Sequence, residues 1–361
     1  MGKRLRIAQL APMATAVAPH STGSIEQLVW LLTEELVRRG HEVTLGATGD
    51  SQTSAALHAR YPRGYEDDPD LWNWQFHEAM HAASVFERAD DFDVIHSHNY
   101  HFVLPFTRLT RTPVLHTYHV LPDLDVLRAY ERSPRACIVA LSHYQRSLYR
   151  EIPNVAVVHH GIDTGAFPFN PRPRDYLLFL GRLHPDKGVV EAIRLASQAD
   201  MHLVLAGPVN EEQDYFERQV APLLDGRRVQ HVGPVGVAER NRLLAGAAAL
   251  LYPIRAPEPF GLVLIEAMAC GTPVLASALG AVPEIVEDGV TGYSAPDLES
   301  LARHIPDVLA LDRARVRREA VARFDYRRMV DGYEAVYERL AALELAGSRS
   351  CVAAQAGEES P

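Results

Sequence analysis

Short apolar runs bounded by glycine, proline and polar residues alternate with helical stretches along most of this chain. The first run, residues 6–11, predicts a buried parallel strand and leads into a loop rich in Pro, Gly and Ser over 12–24. From Ile25 to Arg38 the apolar positions Ile25, Leu28, Val29, Leu32 and Leu36 take helical spacing, and Arg38-Arg39-Gly40 supplies a basic last turn and a glycine stop. Residues 41–46 predict the next strand, which completes a βαβ unit. Residues 92–97, 112–117 and 136–142 predict further strands with helical stretches between them, so the first half reads as doubly wound α/β.

The segment Phe167-Pro168-Phe169-Asn170-Pro171-Arg172-Pro173-Arg174 cannot continue a helix or a central strand. It predicts a linker over 166–174 between an N-terminal domain at 1–165 and a C-terminal domain at 175–325. Past it the pattern restarts, with strands at 176–180, 202–206, 229–232, 250–252 and 273–276 and a helix at 188–199. Residues 326–345 form a strong amphipathic helix, expected to pack back across the domains. Residues 346–361 lose periodicity and are expected to be disordered. A chain of 361 residues exceeds one ordinary core. The expected class is α/β, two Rossmann-like doubly wound domains facing a central cleft.

Composition narrows the partners. Hydrophobic residues at 47% and charged residues at 23% are ordinary globular usage. A net charge of -10 and a pI near 5.9 leave no global attraction for phosphate backbones, so nucleic acid is excluded as a partner. The densest basic cluster, Lys3-Arg4-Leu5-Arg6, is read as a solvated start before the first strand. Cys137, Cys270 and Cys351 show no CxxC spacing and an odd count, which suits a reducing compartment. Pro12 interrupts the first apolar run too soon for a signal peptide, and no run reaches the roughly 20 residues of a membrane helix. A cytoplasmic location without a membrane span is expected.

Two stretches carry chemistry. In the first, 258–274, Gly261 lets backbone approach a ligand, and a helix starting near it would aim free N–H groups at an anion such as a diphosphate. Glu258 falls before that helix and Glu266 about two turns into it, and both can accept hydrogen bonds from vicinal hydroxyls. Two glutamates eight apart are commonly a solvated helix face. Here Glu266 sits inside an apolar run, where an unpaired charge is costly. The second stretch, Gly181-Arg182-Leu183-His184-Pro185-Asp186-Lys187-Gly188, follows the first strand of the second half. That is the carboxyl edge where such sheets bind ligands, and Arg182 and Lys187 would bring two positive charges to a leaving diphosphate.

From about Arg6 to about Leu345 the chain resembles the retaining family-four glycosyltransferases of GT-B fold. The resemblance is carried by Gly181-Arg182 with Lys187-Gly188, by Glu258 to Glu266, by Met268-Ala269-Cys270-Gly271-Thr272-Pro273-Val274, and by 283–292. It implies that Glu266 holds the ribose of a nucleotide-sugar, Glu258 the transferred sugar, and Arg182 and Lys187 the diphosphate. Gly181 belongs to the same donor loop, and the backbone around Phe260, Gly261 and Leu262 would meet sugar and phosphate. In the first half, Pro113-Val114-Leu115-His116-Thr117-Tyr118-His119 is similar to the family's strand ending in Thr-x-His, which makes His119 the active-site histidine. The family's paired glycines are replaced by Gly23-Ser24, where Gly23 still lets backbone amides approach phosphate and Ser24 restricts that backbone.

The implied reaction is retaining hexosyl transfer from a nucleotide-sugar, UDP-glucose by default, to a small-molecule, glycan or lipid-linked acceptor. No cofactor and no metal are expected. His96, His98 and His101 have no matching ligand spacing for zinc, and Asp91-Phe92-Asp93 precedes a buried strand rather than holding a metal. Trp72 and Trp74 offer faces for an acceptor, although core packing is the commoner role for Trp. The GxGxxG fingerprint of nicotinamide dehydrogenases is absent after both first strands. A nucleotide-sugar epimerase and a catalytically silent sugar-binding protein share the scaffold and stay open on sequence alone.

Overall fold

A computed structural model describes residues 4–345 except 22, 134, 151, 210 and 211. The tail at 346–361, Cys351 included, lies outside the described residues. The chain divides into two compact units, one running to Gly161 and resuming at Tyr326, the other Ile162–Asp325.

The sheet of the first unit has seven strands, all parallel: β1 Arg6–Leu10, β2 Glu42–Gly46, β3 Ala56–His58, β4 Val94–Ser97, β5 Val114–Thr117, β6 Ala136–Ala140 and β7 Val155–Val157. Their order, β3-β2-β1-β4-β5-β6-β7, reverses between β1 and β4. Neighbouring residues of β1 feed opposite faces. Ile7 joins one core with Leu28, Leu32 and Leu36 of the Ser24–Arg38 helix, while Ala8 and Leu10 join another with Ala82 and Val85. The Tyr326–Leu345 helix buries Met329, Val330, Tyr333, Val336, Tyr337 and Leu340 in the same core as Ile7. It is thus an integral layer of this unit. Before β4, Asp93 accepts from the Arg6 amide at 2.8 Å and from its guanidinium at 2.9 Å. Asp91 holds Arg88 at 3.0 Å, so both aspartates serve the start of the strand.

The second unit has six parallel strands, β8 Tyr176–Leu180, β9 His202–Ala206, β10 Val229–His231, β11 Ala249–Tyr252, β12 Val274–Ser277 and β13 Gly292–Ala295. They lie in the order β10-β9-β8-β11-β12-β13, with the reversal between β8 and β11. In both sheets the reversal opens a crevice at the carboxyl ends of the strands, the place where open α/β sheets take ligands. At β13 the sheet needs glycine, because a Cβ on Gly292 would sit 2.1 Å from the Val274 carbonyl oxygen.

The division at Gly161 falls ahead of the proline-rich segment expected to be the linker, and that segment is built into the second unit. Arg313 explains this. Its buried guanidinium donates to Asn170 O at 2.7 Å, Ala247 O at 2.9 Å, Ala245 O at 3.0 Å and Thr272 Oγ1 at 2.7 Å. Arg313→Met keeps an apolar stem but takes the donor from Asn170 O, Ala247 O and Thr272 Oγ1, while Ala245 O retains the Asn170 side-chain amide at 3.0 Å. It is expected to destabilise the unit by about 2–4 kcal/mol, read as a lower urea midpoint at unchanged slope. An unchanged midpoint would mean that water satisfies the acceptors equally well.

Candidate active site

The donor-type motifs of the second unit meet at the β8/β11 switch point. After β8 the chain turns at Gly181, whose carbonyl oxygen lies so close to Gly207 that a Cβ on Gly207 would stand 1.9 Å from it. Leu183 is buried and bonds through its amide to Pro208 O at 2.9 Å, leaving Arg182 exposed. His184 then caps the short Pro185–Lys187 turn, and Gly188 takes a left-handed φ of 72°. A Cβ on Gly188 would sit 1.8 Å from Pro253 O, and the Arg255 amide bonds to Asp186 O at 2.7 Å. The loops after β8 and β11 are therefore locked against each other.

This lock brings Lys187 onto Glu258. Lys187 Nζ contacts Glu258 Oε1, and the Tyr252 hydroxyl at the end of β11 donates to Glu258 Oε2. The Glu258 backbone is held from behind, since its carbonyl accepts from the Ala281 amide at 3.1 Å and a Cβ on Gly280 would lie 2.5 Å from its amide nitrogen. Burial and the nearby Arg182 guanidinium push the Lys187 ammonium down to about 8, and the Asp186 carboxylate opposes that fall. Arg182 forms no ion pair among the described residues.

The Leu262–Ala269 helix starts on Gly261, which has φ 97° and offers no side-chain cap. The amides of Leu262 and Val263 find no acceptor among the described residues, so the positive end of the helix is open. Phe260, at 2% exposure, turns its ring inward against Phe324, 6.1 Å away between centroids, and can serve a ligand only through its backbone. Glu266 is the fifth residue of the helix, hence just over one turn in rather than two, because the helix begins only after Gly261. Its side chain is 13% exposed and pairs with Arg240 at 3.2 Å. Burial raises the Glu266 carboxyl, and Arg240 works against that rise.

Tyr252 and Arg240 escaped the sequence reading. Tyr252 was within reach of it, as the last residue of a strand beside the switch point. Arg240 lies within the Val237–Gly246 helix and carries no local signal.

In the first unit Gly23 precedes the Ser24–Arg38 helix with φ -75°, a conformation open to any residue, so Ser24 after it imposes no strain. A Cβ at Gly23 would lie 1.9 Å from Glu26 Oε2, so the Glu26 side chain would have to move to admit one. A buried carboxylate thus occupies the end of the helix where Gly23 was expected to admit phosphate. Burial raises the Glu26 carboxyl. His116 is buried and bonds to Thr107 Oγ1 at 3.1 Å, a structural role. His119 follows β5 and lies 2.9 Å from His98 Nδ1 through its Nε2. His96 and His98 share a face with rings 4.0 Å apart, and protein groups engage both nitrogens of each. Trp72 departs from the packing role that is commoner for tryptophan. It is 82% exposed after the Pro69–Leu71 turn, whose neighbours Asp67, Asp68 and Asp70 keep the segment in water. Trp74 is 37% exposed and meets Phe102 edge-on at 5.8 Å.

Two parallel Rossmann-like sheets, with charged loops and an open helix end at a switch point, define the class: a glycosyltransferase of GT-B fold. Residues 25–166 match the family Glycosyltransferase Family 4, and residues 167–323 match Glycosyl transferases group 1. The chain belongs to the family-4-type GT-B glycosyltransferases. It is 27% identical over 374 residues to a phosphatidyl-myo-inositol mannosyltransferase of Mycobacterium leprae, covering 93% of this chain and 97% of that one. It is 36% identical over 203 residues to a glycogen synthase of Mycobacterium tuberculosis, covering 52% of this chain and about half, 49%, of that relative. The solved structure of AviGT4, a glycosyltransferase involved in Avilamycin A biosynthesis, superposes with a TM-score of 0.70 at 26% identity, covering 94% of this chain and 98% of that one. No helix among the described residues is long and apolar enough to cross a membrane.

Proposed function

We propose that the protein transfers a hexose from a nucleotide-sugar, of UDP-glucose type by default, to a small-molecule, glycan or lipid-linked acceptor, with retention at the anomeric carbon. The observation that carries this reading is the β8/β11 crevice, where exposed Arg182, Lys187 beside Glu258, and the open end of the Leu262–Ala269 helix gather in one unit. A departing diphosphate gains negative charge as its bond to the sugar breaks. Arg182, Lys187 and the helix amides are fixed positive groups for that charge, and their orientation costs nothing at the moment of reaction. Glu258, steadied by Tyr252 and Lys187, accepts from sugar hydroxyls, and Glu266 accepts from the ribose. His119 is the hydrogen-bonding group of the first unit toward a sugar hydroxyl. A donor phosphate oxygen takes the acceptor's proton, so the protein supplies no nucleophile. Arg182 and Lys187 supply the positive charge that a divalent metal would otherwise bring. The names of the two mycobacterial relatives support sugar transfer and span different products, so they leave the donor sugar to experiment.

The test is a thermal-shift and turnover screen of UDP-glucose, GDP-mannose and ADP-glucose with EDTA present. One nucleotide-sugar is expected to raise the melting temperature and to be consumed by transfer with retained anomeric configuration, seen by proton NMR. Turnover that needs added magnesium or manganese would overturn the metal-free reading. Binding without transfer to any sugar acceptor, or release of free UDP with an epimerised sugar, would overturn the transfer reading.

A further inference from the structure

A buried chain of hydrogen bonds in the first unit ends on His119. Gln9 of β1 donates from Nε2 to the Tyr337 hydroxyl at 2.9 Å, and its Oε1 lies 3.2 Å from His98 Nε2. His98 Nδ1 is 2.9 Å from His119 Nε2. A second branch leaves the same tyrosine. Its hydroxyl is 2.6 Å from His96 Nδ1, His96 Nε2 is 2.8 Å from Thr117 Oγ1, and Thr117 Oγ1 is 3.1 Å from the Tyr333 hydroxyl. Gln9, His96 and Thr117 reach these tyrosines because they sit on the sheet face that the Tyr326–Leu345 helix covers.

Each bond dictates the next. An amide oxygen only accepts, so His98 Nε2 carries the proton of that bond, and a neutral imidazole has only one N–H to give. His98 Nδ1 is then bare and accepts from His119 Nε2–H, which leaves His119 Nδ1 bare as well. The rings are neutral because burial drives His98 far below the usual histidine range and His119 down to about 3. His98 and His160 stack on His119 with ring centres 5.2 and 5.3 Å away. In the orientation seen, the Gln9 amide gives an N–H to Tyr337, and turning it over would require reversing every bond of the second branch. His119 is partly exposed, and its Nδ1 has no partner among the described residues.

We infer that Gln9 is a positioning residue which, acting through His98 and steadied by Tyr337, fixes the tautomer in which His119 offers a bare Nδ1 as acceptor to a substrate hydroxyl. The inference rests on the reading of His119 as a sugar-contacting group, and it adds which nitrogen acts and in which sense. The substrate hydroxyl facing His119 must donate.

The test uses the full chain labelled with 15N-histidine, with the His119 ring nitrogens assigned by their loss in His119→Ala. Long-range proton–nitrogen correlation at neutral pH is expected to show Nε2 protonated and Nδ1 bare in the wild type. Gln9→Leu removes the acceptor that orders His98, and Tyr337→Phe frees the Gln9 amide to turn. Both are expected to give a mixture of His119 tautomers and a fall of about tenfold in kcat/KM, the worth of one hydrogen bond. A protonated Nδ1 in the wild type, or an unaltered wild-type tautomer in the folded variants, would overturn the inference. Should Gln9→Leu fail to fold, the wild-type and Tyr337→Phe spectra decide. Unchanged turnover in His119→Ala would instead overturn the sugar-contacting role and leave the tautomer assignment standing.

Discussion

Arg182→Ala and Lys187→Ala are each expected to lower kcat by about 100- to 1,000-fold, the loss typical of removing one preorganised charge stabiliser. The charge that these residues meet grows as the diphosphate leaves, so the interaction is stronger in the transition state than in the bound donor. The structure separates the two variants. Arg182 is exposed and forms no ion pair among the described residues, so its removal should leave the unfolding midpoint in place. Lys187 holds Glu258, so its removal leaves a partly buried carboxylate with Tyr252 as its one side-chain partner among the described residues and should cost stability as well. Steady-state kinetics with the donor found in the screen, alongside urea titrations, would check both points. A change confined to donor KM would refute the leaving-group role.

Glu266→Ala should raise donor KM by roughly ten- to a hundredfold while kcat at saturation falls much less, because a ribose hydroxyl is unchanged during transfer. The estimate is the roughly 1.5–3 kcal/mol of a hydrogen bond to a charged group. Arg240 adds a control. It pairs with Glu266 at 3.2 Å, so Arg240→Met should raise donor KM in the same direction by letting the carboxylate move. Glu266→Gln keeps one acceptor oxygen and should fall between wild type and Glu266→Ala. A Glu266→Ala enzyme with unaltered KM and depressed kcat would place the residue at the reacting centre instead.

The central strands were legible because a parallel strand buried on both faces must be apolar at nearly every position. β8 and β9 begin and end where the sequence pattern placed them. β3 and β7 were not legible, because each is a three-residue edge strand too short to show a period. β13 was hidden by its glycine and polar residues, and its glycine is present for close contact with Val274. The linker was misplaced for a related reason. Proline rules out helix and central strand but does not say whether the segment is free or held, and here Arg313, far along the chain, holds it.

What the sequence determined by itself was the alternation of strand and helix, and with it two doubly wound sheets. It also determined the loops that carry Gly181 to Gly188 and Glu258 to Glu266. Those features are local, set by side-chain period, glycine freedom and helix ends within a few residues. Tertiary structure alone decided that Lys187 and Tyr252 both grip Glu258, that Arg240 answers Glu266, and that Glu26 fills the space beside Gly23. It alone decided that Gln9 meets Tyr337, 328 positions away in the chain. The physical reason is that parallel sheets place the ends of distant strands side by side. A side chain's partner is then set by strand order and by the helix laid over the sheet, neither of which leaves a trace in the residues around it.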